Sequence, residues 1–128
     1  MAAFVAGIDL IDVRRIAAVL ARHGDRFLER VYTPRERDYC GHRLNEFAAR
    51  FAGKEATMKA LGTGLRGIAW KEIEILGNAR GKPVLLLHGR ARARAARLGI
   101  AAFDISLTHE GDLAAAMVVG GPAPETQA

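Results

Sequence analysis

The sequence predicts an α+β fold in a single domain, with N-terminal helices packed on a small antiparallel sheet. Three observations lead there. Helical periodicity dominates residues 12–61. Short apolar or alternating runs separated by turn residues dominate residues 68–119. No repeat or linker divides the chain, and 128 residues, half of them hydrophobic, suffice for one core.

The elements follow in order. Residues 3–9 read as a strand ending at Asp9. Residues 12–23 form an amphipathic helix, with Val13, Ile16 and Leu20 on one face and Arg15 and Arg22 on the other. Arg26 joins the arginine face if that helix continues through Gly24. Thr33-Pro34-Arg35-Glu36 is a helix start: an N-cap threonine, a proline at the first helical position and a capping-box glutamate. That short helix should reach Cys40. A long helix follows from Asn45, as N-cap, to Leu61, with Gly62 as its left-handed stop.

Residues 68–76 and 83–87 read as paired strands around the turn-like segment 78–82. Residues 89–97 are a short helix rich in arginine and alanine, closed by Gly99. Its four arginines, Arg90, Arg92, Arg94 and Arg97, cannot all share one face and read as mostly solvated. Residues 102–108 and 113–119 form a second hairpin. The domain is expected to span residues 1–119, with a disordered tail over 120–128.

Composition narrows the function. The formal net charge is +5, which favours anionic partners such as nucleic acid, phosphorylated small molecules or an acidic protein. No segment approaches the run of about 18 apolar residues that a membrane span needs. The N-terminal stretch lacks the pattern of a secretory signal, and a lone cysteine, Cys40, fits a reducing cytoplasm. His23, His42 and His88 show no metal-ligand spacing.

The long helix carries the chemistry. Projected at about 100° per residue, Phe47, Phe51, Met58 and Leu61 share an apolar face, and alanines cover much of the rest. Such a helix should be surrounded by protein. Lys54 nevertheless falls among the large apolar residues, and Glu55 and Lys59 sit one turn apart between the faces. Buried charges are costly unless paired. A metal ion for Glu55 and an anionic ligand for the lysines would pair them; an ordinary i,i+4 contact between Glu55 and Lys59 is the simpler alternative. Asp9 offers a second carboxylate from another element, and two such carboxylates with water and phosphate oxygens suit Mg²⁺. Ser106, Thr108 and His109 could donate to phosphate, or could simply lead into a turn.

Taken in order, several motifs resemble a known family. They are Gly7-Ile-Asp9 with Arg15 behind it, Arg50-Phe-Ala-Gly-Lys-Glu-Ala, Lys59-Ala-Leu-Gly-Thr-Gly64, Gly81-Lys-Pro83 and Ser106-Leu-Thr-His109. Together they resemble the holo-acyl-carrier-protein synthase group of 4′-phosphopantetheinyl transferases, from about residue 4 to residue 119. The resemblance implies that coenzyme A donates its phosphopantetheine arm to a serine of apo-acyl-carrier protein, with Mg²⁺ at the pyrophosphate. It further implies a role in fatty acid biosynthesis, a cytoplasmic location and a homotrimer with sites between subunits.

By motif position, Asp9 and Glu55 are the implied metal ligands and Lys59 the cation that neutralises the pyrophosphate. Arg50, Lys54, Gly62, Gly64, Lys82, Pro83 and His109 are implied to line the coenzyme A pocket. Arg15, supported by Arg14, Arg22 and Arg26, is implied to dock the acidic carrier. The serine proton has two implied acceptors, Glu55 or water on the metal, and the sequence does not choose between them.

Two positions depart from the pattern. Gly53 stands where a small residue such as alanine is usual, at a cost in a helix interior of up to about 1 kcal/mol. Ile11 stands where larger relatives of the group carry a further acid, which leaves two protein ligands for the metal. The readings from other classes are a basic nucleic-acid-binding module and a non-catalytic coenzyme A-binding regulator. Few aromatic residues and no zinc-finger or RNP-like motif weigh against the first.

Overall fold

A computed structural model describes residues 4–65 and 67–124. The element order is β1 (Val5–Asp12), α1 (Val13–His23), α2 (Asp25–Val31), α3 (Pro34–Cys40), α4 (Leu44–Leu61), a 3₁₀ turn (Trp70–Glu72), β2 (Ile73–Gly77), β3 (Pro83–Leu87), α5 (Gly89–Arg97), β4 (Ala102–Glu110) and β5 (Leu113–Gly121). An antiparallel sheet of order β1-β5-β4 covers one side of α4, and the β2-β3 hairpin forms a second, two-stranded sheet. The α+β expectation holds.

The long helix is buried over most of its surface, as its composition requires, and opens to solvent at Lys59. Phe47, Met58, Leu61 and five alanines lie in the interior, and Phe51 is half-buried against Trp70 with ring centroids 4.9 Å apart. Small residues let β1 approach closely. A Cβ added at Gly7 would fall 1.9 Å from the Ala56 carbonyl oxygen, so the strand backbone lies directly on the helix. Gly53 has a similar reason: a Cβ there would meet Ile75 Cδ1 at 2.6 Å. The helix-propensity cost at Gly53 is therefore exchanged for contact between α4 and β2.

Several boundaries differ from the expectation. β1 continues past Asp9 to Asp12, because it pairs with β5 along its whole length, from Val5 with Gly120 to Asp12 with Leu113. Asp12 then caps α1 by accepting a bond from the Arg14 backbone N–H at 2.9 Å. Gly24, at φ 56° and ψ −133°, ends that helix, and Arg26 belongs to the separate α2. The cap position of α4 is Arg43, not Asn45, and no side chain caps it. Thr33 and Glu36 form the expected capping box.

The proposed tail is also displaced. Gly120 and Gly121 are strand residues, paired with Val5, Phe103 and Ala102, and residues 125–128 lie outside those described.

The expected strand over residues 68–76 is replaced at its start by the 3₁₀ turn, and Lys54 supplies the reason. Its ammonium donates to the carbonyl oxygens of Trp70, at 3.1 Å, and Ile73, which bends this segment around the helix. It also donates to Glu36 Oε1 at 2.8 Å. Glu36 in turn accepts from the Thr33 and Ile75 backbone N–H groups, both at 2.9 Å. Both side chains are inaccessible to solvent. Burial lowers the Lys54 pKa, and the Glu36 carboxylate opposes that shift.

Removing one member of this pair leaves the other charged and unpaired in the interior. Lys54→Met should lower the unfolding free energy by about 3–5 kcal/mol. Urea denaturation followed by circular dichroism checks this, and a loss below about 1 kcal/mol would remove the pair from its central position.

Candidate functional site

Alternation along β1 sets the site. Gly7, Asp9 and Ile11 face α4, while Ile8 and Leu10 face outward. Asp9 thus meets the helix from mid-strand rather than from a strand end. Ile11 fills the core and is 4 % exposed.

Glu55 is half-buried on α4 and has no hydrogen bond or ion pair among the described residues. Its pKa is raised, first by desolvation and then by the negative charge of Asp9; the Lys59 and Arg15 charges act in the opposite sense. Lys59 Nζ donates to Asp9 Oδ1 and to the Ile8 carbonyl oxygen, each at 3.0 Å. The simple Glu55–Lys59 contact is not formed; the lysine reaches across to the strand. Its side chain is 54 % exposed, whereas that of Asp9 is 17 % exposed.

Two carboxylates that repel one another, one of them without a protein partner, form a hard-oxygen donor set. That chemistry fits a divalent cation such as Mg²⁺. Among the described residues no group of three or more His, Cys, Asp or Glu could hold a metal ion, so water or ligand oxygens would complete the coordination.

The structure divides the other expected site residues. Gly62, at φ 70°, caps α4 one turn beyond Lys59, and Gly64 follows in the exposed segment. Arg50 and Lys54 point inward. Arg50 donates to the Ile75 carbonyl oxygen at 2.9 Å and to Glu46 at 2.6 Å, and its guanidinium lies 4.5 Å from the Tyr39 ring centroid. Lys54 is committed to Glu36. This corrects the expectation that both line a ligand pocket: their anions and carbonyls are internal, so neither offers a free cation to solvent.

Lys82 binds Asp104 at 2.8 Å on the outer face of the three-stranded sheet, and Pro83 opens β3. His109 is exposed on β4, opposite Ala114, two strands away from Ile11. None of these three bonds to Asp9, Glu55 or Lys59.

Of the arginines, Arg14 is held by Asp12, whose carboxyl it lowers to about 2. Arg15, Arg22 and Arg26 are exposed without a partner among the described residues. Arg15 is near enough to bias Glu55.

Sequence reasoning missed Glu36 as the partner of Lys54. The capping box identified that residue but accounted for only one of its bonds.

Comparison with known proteins bears on this constellation. Residues 6–118 match the family model of the 4′-phosphopantetheinyl transferase superfamily. The holo-[acyl-carrier-protein] synthase of Herpetosiphon aurantiacus is 48% identical over 123 residues, covering 91% of this chain and 97% of that protein. The protein of the same name from Solidesulfovibrio magneticus is 50% identical over 115 residues, covering 88% and 94%. Among solved structures, Helicobacter pylori holo-[acyl-carrier-protein] synthase in complex with coenzyme A superposes with a TM-score of 0.82 at 29% identity, covering 90% of this chain and 98% of that one.

The raised pKa of Glu55 has a thermodynamic sign. The folded state binds its proton more tightly than the unfolded state does, so ionisation of Glu55 lowers stability as pH rises through and above the carboxylate range. In chelator at pH 7.5, Glu55→Gln should raise the thermal midpoint, and the gain should vanish below about pH 4. Thermal scans across pH check this; a variant less stable than wild type at pH 7.5 would show Glu55 to be satisfied by the protein.

Proposed function

The chain belongs to the 4′-phosphopantetheinyl transferase superfamily, and from that premise we propose that it is a holo-acyl-carrier-protein synthase. It moves the 4′-phosphopantetheine arm of coenzyme A onto a serine of apo-acyl-carrier protein, in a Mg²⁺-dependent reaction of the cytoplasm that serves fatty acid biosynthesis. The observation that carries this reading is the convergence of Asp9, Glu55 and Lys59 at one surface, within the matched region.

The serine Oγ forms a bond to the phosphorus that bears the pantetheine arm. The P–O bond to the nucleotide breaks, and adenosine 3′,5′-bisphosphate leaves with the electron pair. Such a reaction depends mainly on position and charge. Mg²⁺ held by Asp9 and Glu55 would neutralise the pyrophosphate and favour departure of the bisphosphate. Lys59 lies beside that carboxylate pair and supplies a further positive charge to the leaving group. The serine proton is given up as the new bond forms, and the Glu55 carboxylate is the protein base at hand. Gly62 and Gly64 follow Lys59 and leave backbone free for close approach of the donor.

The carrier docks on the arginines after β1. Arg15 is the principal contact, because Arg14 already has a carboxylate of its own; Arg22 and Arg26 extend the basic surface. Charge complementarity of this kind acts chiefly on encounter and orientation.

The chain works as a homotrimer with sites between subunits. Its outer sheet face supports this: Ile8 and Leu10 on β1 and Met117 on β5 are 65 %, 64 % and 50 % exposed, and Ile8 stands directly opposite Met117. An apolar face of this kind calls for a partner. The separation of Lys82 and His109 from Asp9 within one chain accords with a neighbour supplying them.

Incubation with coenzyme A, Mg²⁺ and apo-carrier protein should add a phosphopantetheine arm to the carrier, read by mass spectrometry. Glu55→Gln should lose at least about 100-fold in rate while remaining folded. No addition on several carriers, or a fully active Glu55→Gln, would refute the proposal. Leu10→Asp should dissociate the trimer in size-exclusion chromatography with light scattering and lower transfer in parallel. An active monomer would remove the shared site.

A further inference from the structure

The arginines of α5 do not all behave as a solvated set. Arg92 and Arg97 are exposed and have no hydrogen bond or ion pair among the described residues, and Arg90 binds Glu72. Arg94 is half-buried and donates its Nε–H to the Leu61 carbonyl oxygen at 3.0 Å.

That carbonyl has a particular status. α4 ends at Leu61, and the last four carbonyls of a helix have no partner within it. The Thr63 N–H takes the Met58 carbonyl at 3.0 Å, and the Gly62 N–H takes that of Lys59 at 3.1 Å. Arg94 takes that of Leu61. Its positive charge therefore sits at the negative end of the α4 dipole, where a cation is favoured. Its Nη2 also lies against Gly62, 3.6 Å from where a Cβ would stand. The turn pinned in this way includes Lys59 and runs directly into Gly62-Thr63-Gly64.

We propose that Arg94 is a positioning residue for the donor half of the site. It fixes the last turn of α4 and the glycine segment after it, so that Lys59 and the backbone of residues 62–64 stand ready for the phosphates of coenzyme A. The inference rests on the transferase reading above. Arg94 acts through the end of α4 and the glycine segment, whereas the arginines proposed to dock the carrier are on α1 and α2. Its loss should therefore appear in the handling of coenzyme A and leave that of the carrier unchanged.

Steady-state transfer kinetics with Arg94→Ala and Arg94→Lys test this, with thermal midpoints measured alongside. Arg94→Ala should raise the KM for coenzyme A about tenfold, the equivalent of one lost charge-assisted hydrogen bond. The KM for the carrier should stay within about twofold of wild type. Arg94→Lys keeps a cation at the helix end and should recover most of the coenzyme A affinity. Should the alanine variant fail to fold, Arg94→Gln takes its place. A lowered thermal midpoint with an unchanged KM for coenzyme A would show Arg94 to be a brace only and overturn the proposal, as would equal rises in both KM values. A wild type that transfers nothing defeats the transferase reading instead. Calorimetric titration with coenzyme A then decides the Arg94 question: weakening of about tenfold in Arg94→Ala supports it, and unchanged binding rejects it.

Discussion

Lys54 carries its charge into the centre of the protein and ends on Glu36, and much of the architecture is arranged around that contact. The carboxylate ties down the start of α3 through the Thr33 N–H and the edge of β2 through the Ile75 N–H. The ammonium gathers the carbonyls of Trp70 and Ile73. Four parts of the chain thus meet at one buried ion pair, and α4 is held at a fixed rotation among them. Burial of both charges is expensive, and the surrounding hydrogen bonds are what make it tolerable. The next residue along the helix is Glu55. With Lys54 locked inward on one side, Glu55 is turned toward β1, where Asp9 faces it.

The same helix is fitted to the sheet by the removal of side chains. Gly7 and Ala56 bring the backbones of β1 and α4 into contact, and that closeness allows the Lys59 ammonium to span from helix to strand. A bulkier residue at position 7 would push Asp9 away from both Glu55 and Lys59. Packing and site geometry are therefore one constraint: the core is tight where the charged groups must meet.

The sequence revealed the helices with local signals and missed what depends on distant partners. The start of α3 was legible because Thr33, Pro34 and Glu36 form a self-contained cap. The burial of α4 was legible from its alanines and large apolar residues. Asp9, Glu55 and Lys59 stood out as charges on otherwise apolar elements. The full length of β1 was not legible, since its last residues, Ile11 and Asp12, are held by pairing with Ala114 and Leu113 of β5, about a hundred positions away in sequence. Gly120 and Gly121 looked like the start of a tail because glycine carries no strand signal, yet the ladder includes them. Lys54 looked ligand-binding because its anion and carbonyls are contributed by α3, β2 and the turn before it, and the Arg50 guanidinium is turned inward by the Ile75 carbonyl of β2 as well as by Glu46 one turn back on α4. No spacing rule joins residue 54 to residue 36. Arg94 was hidden among other arginines, and only the position of the α4 terminus distinguishes it.

On the proposed reading, Asp9 and Glu55 form a divalent-cation site left open by the fold. Its most direct test is the binding of Mn²⁺, in place of Mg²⁺, to the intact protein with coenzyme A present, followed by the loss of the free-ion signal in electron paramagnetic resonance. Wild type should take up the ion, and Asp9→Asn and Glu55→Gln should each abolish uptake while remaining folded. Uptake by both variants equal to that of wild type would contradict it.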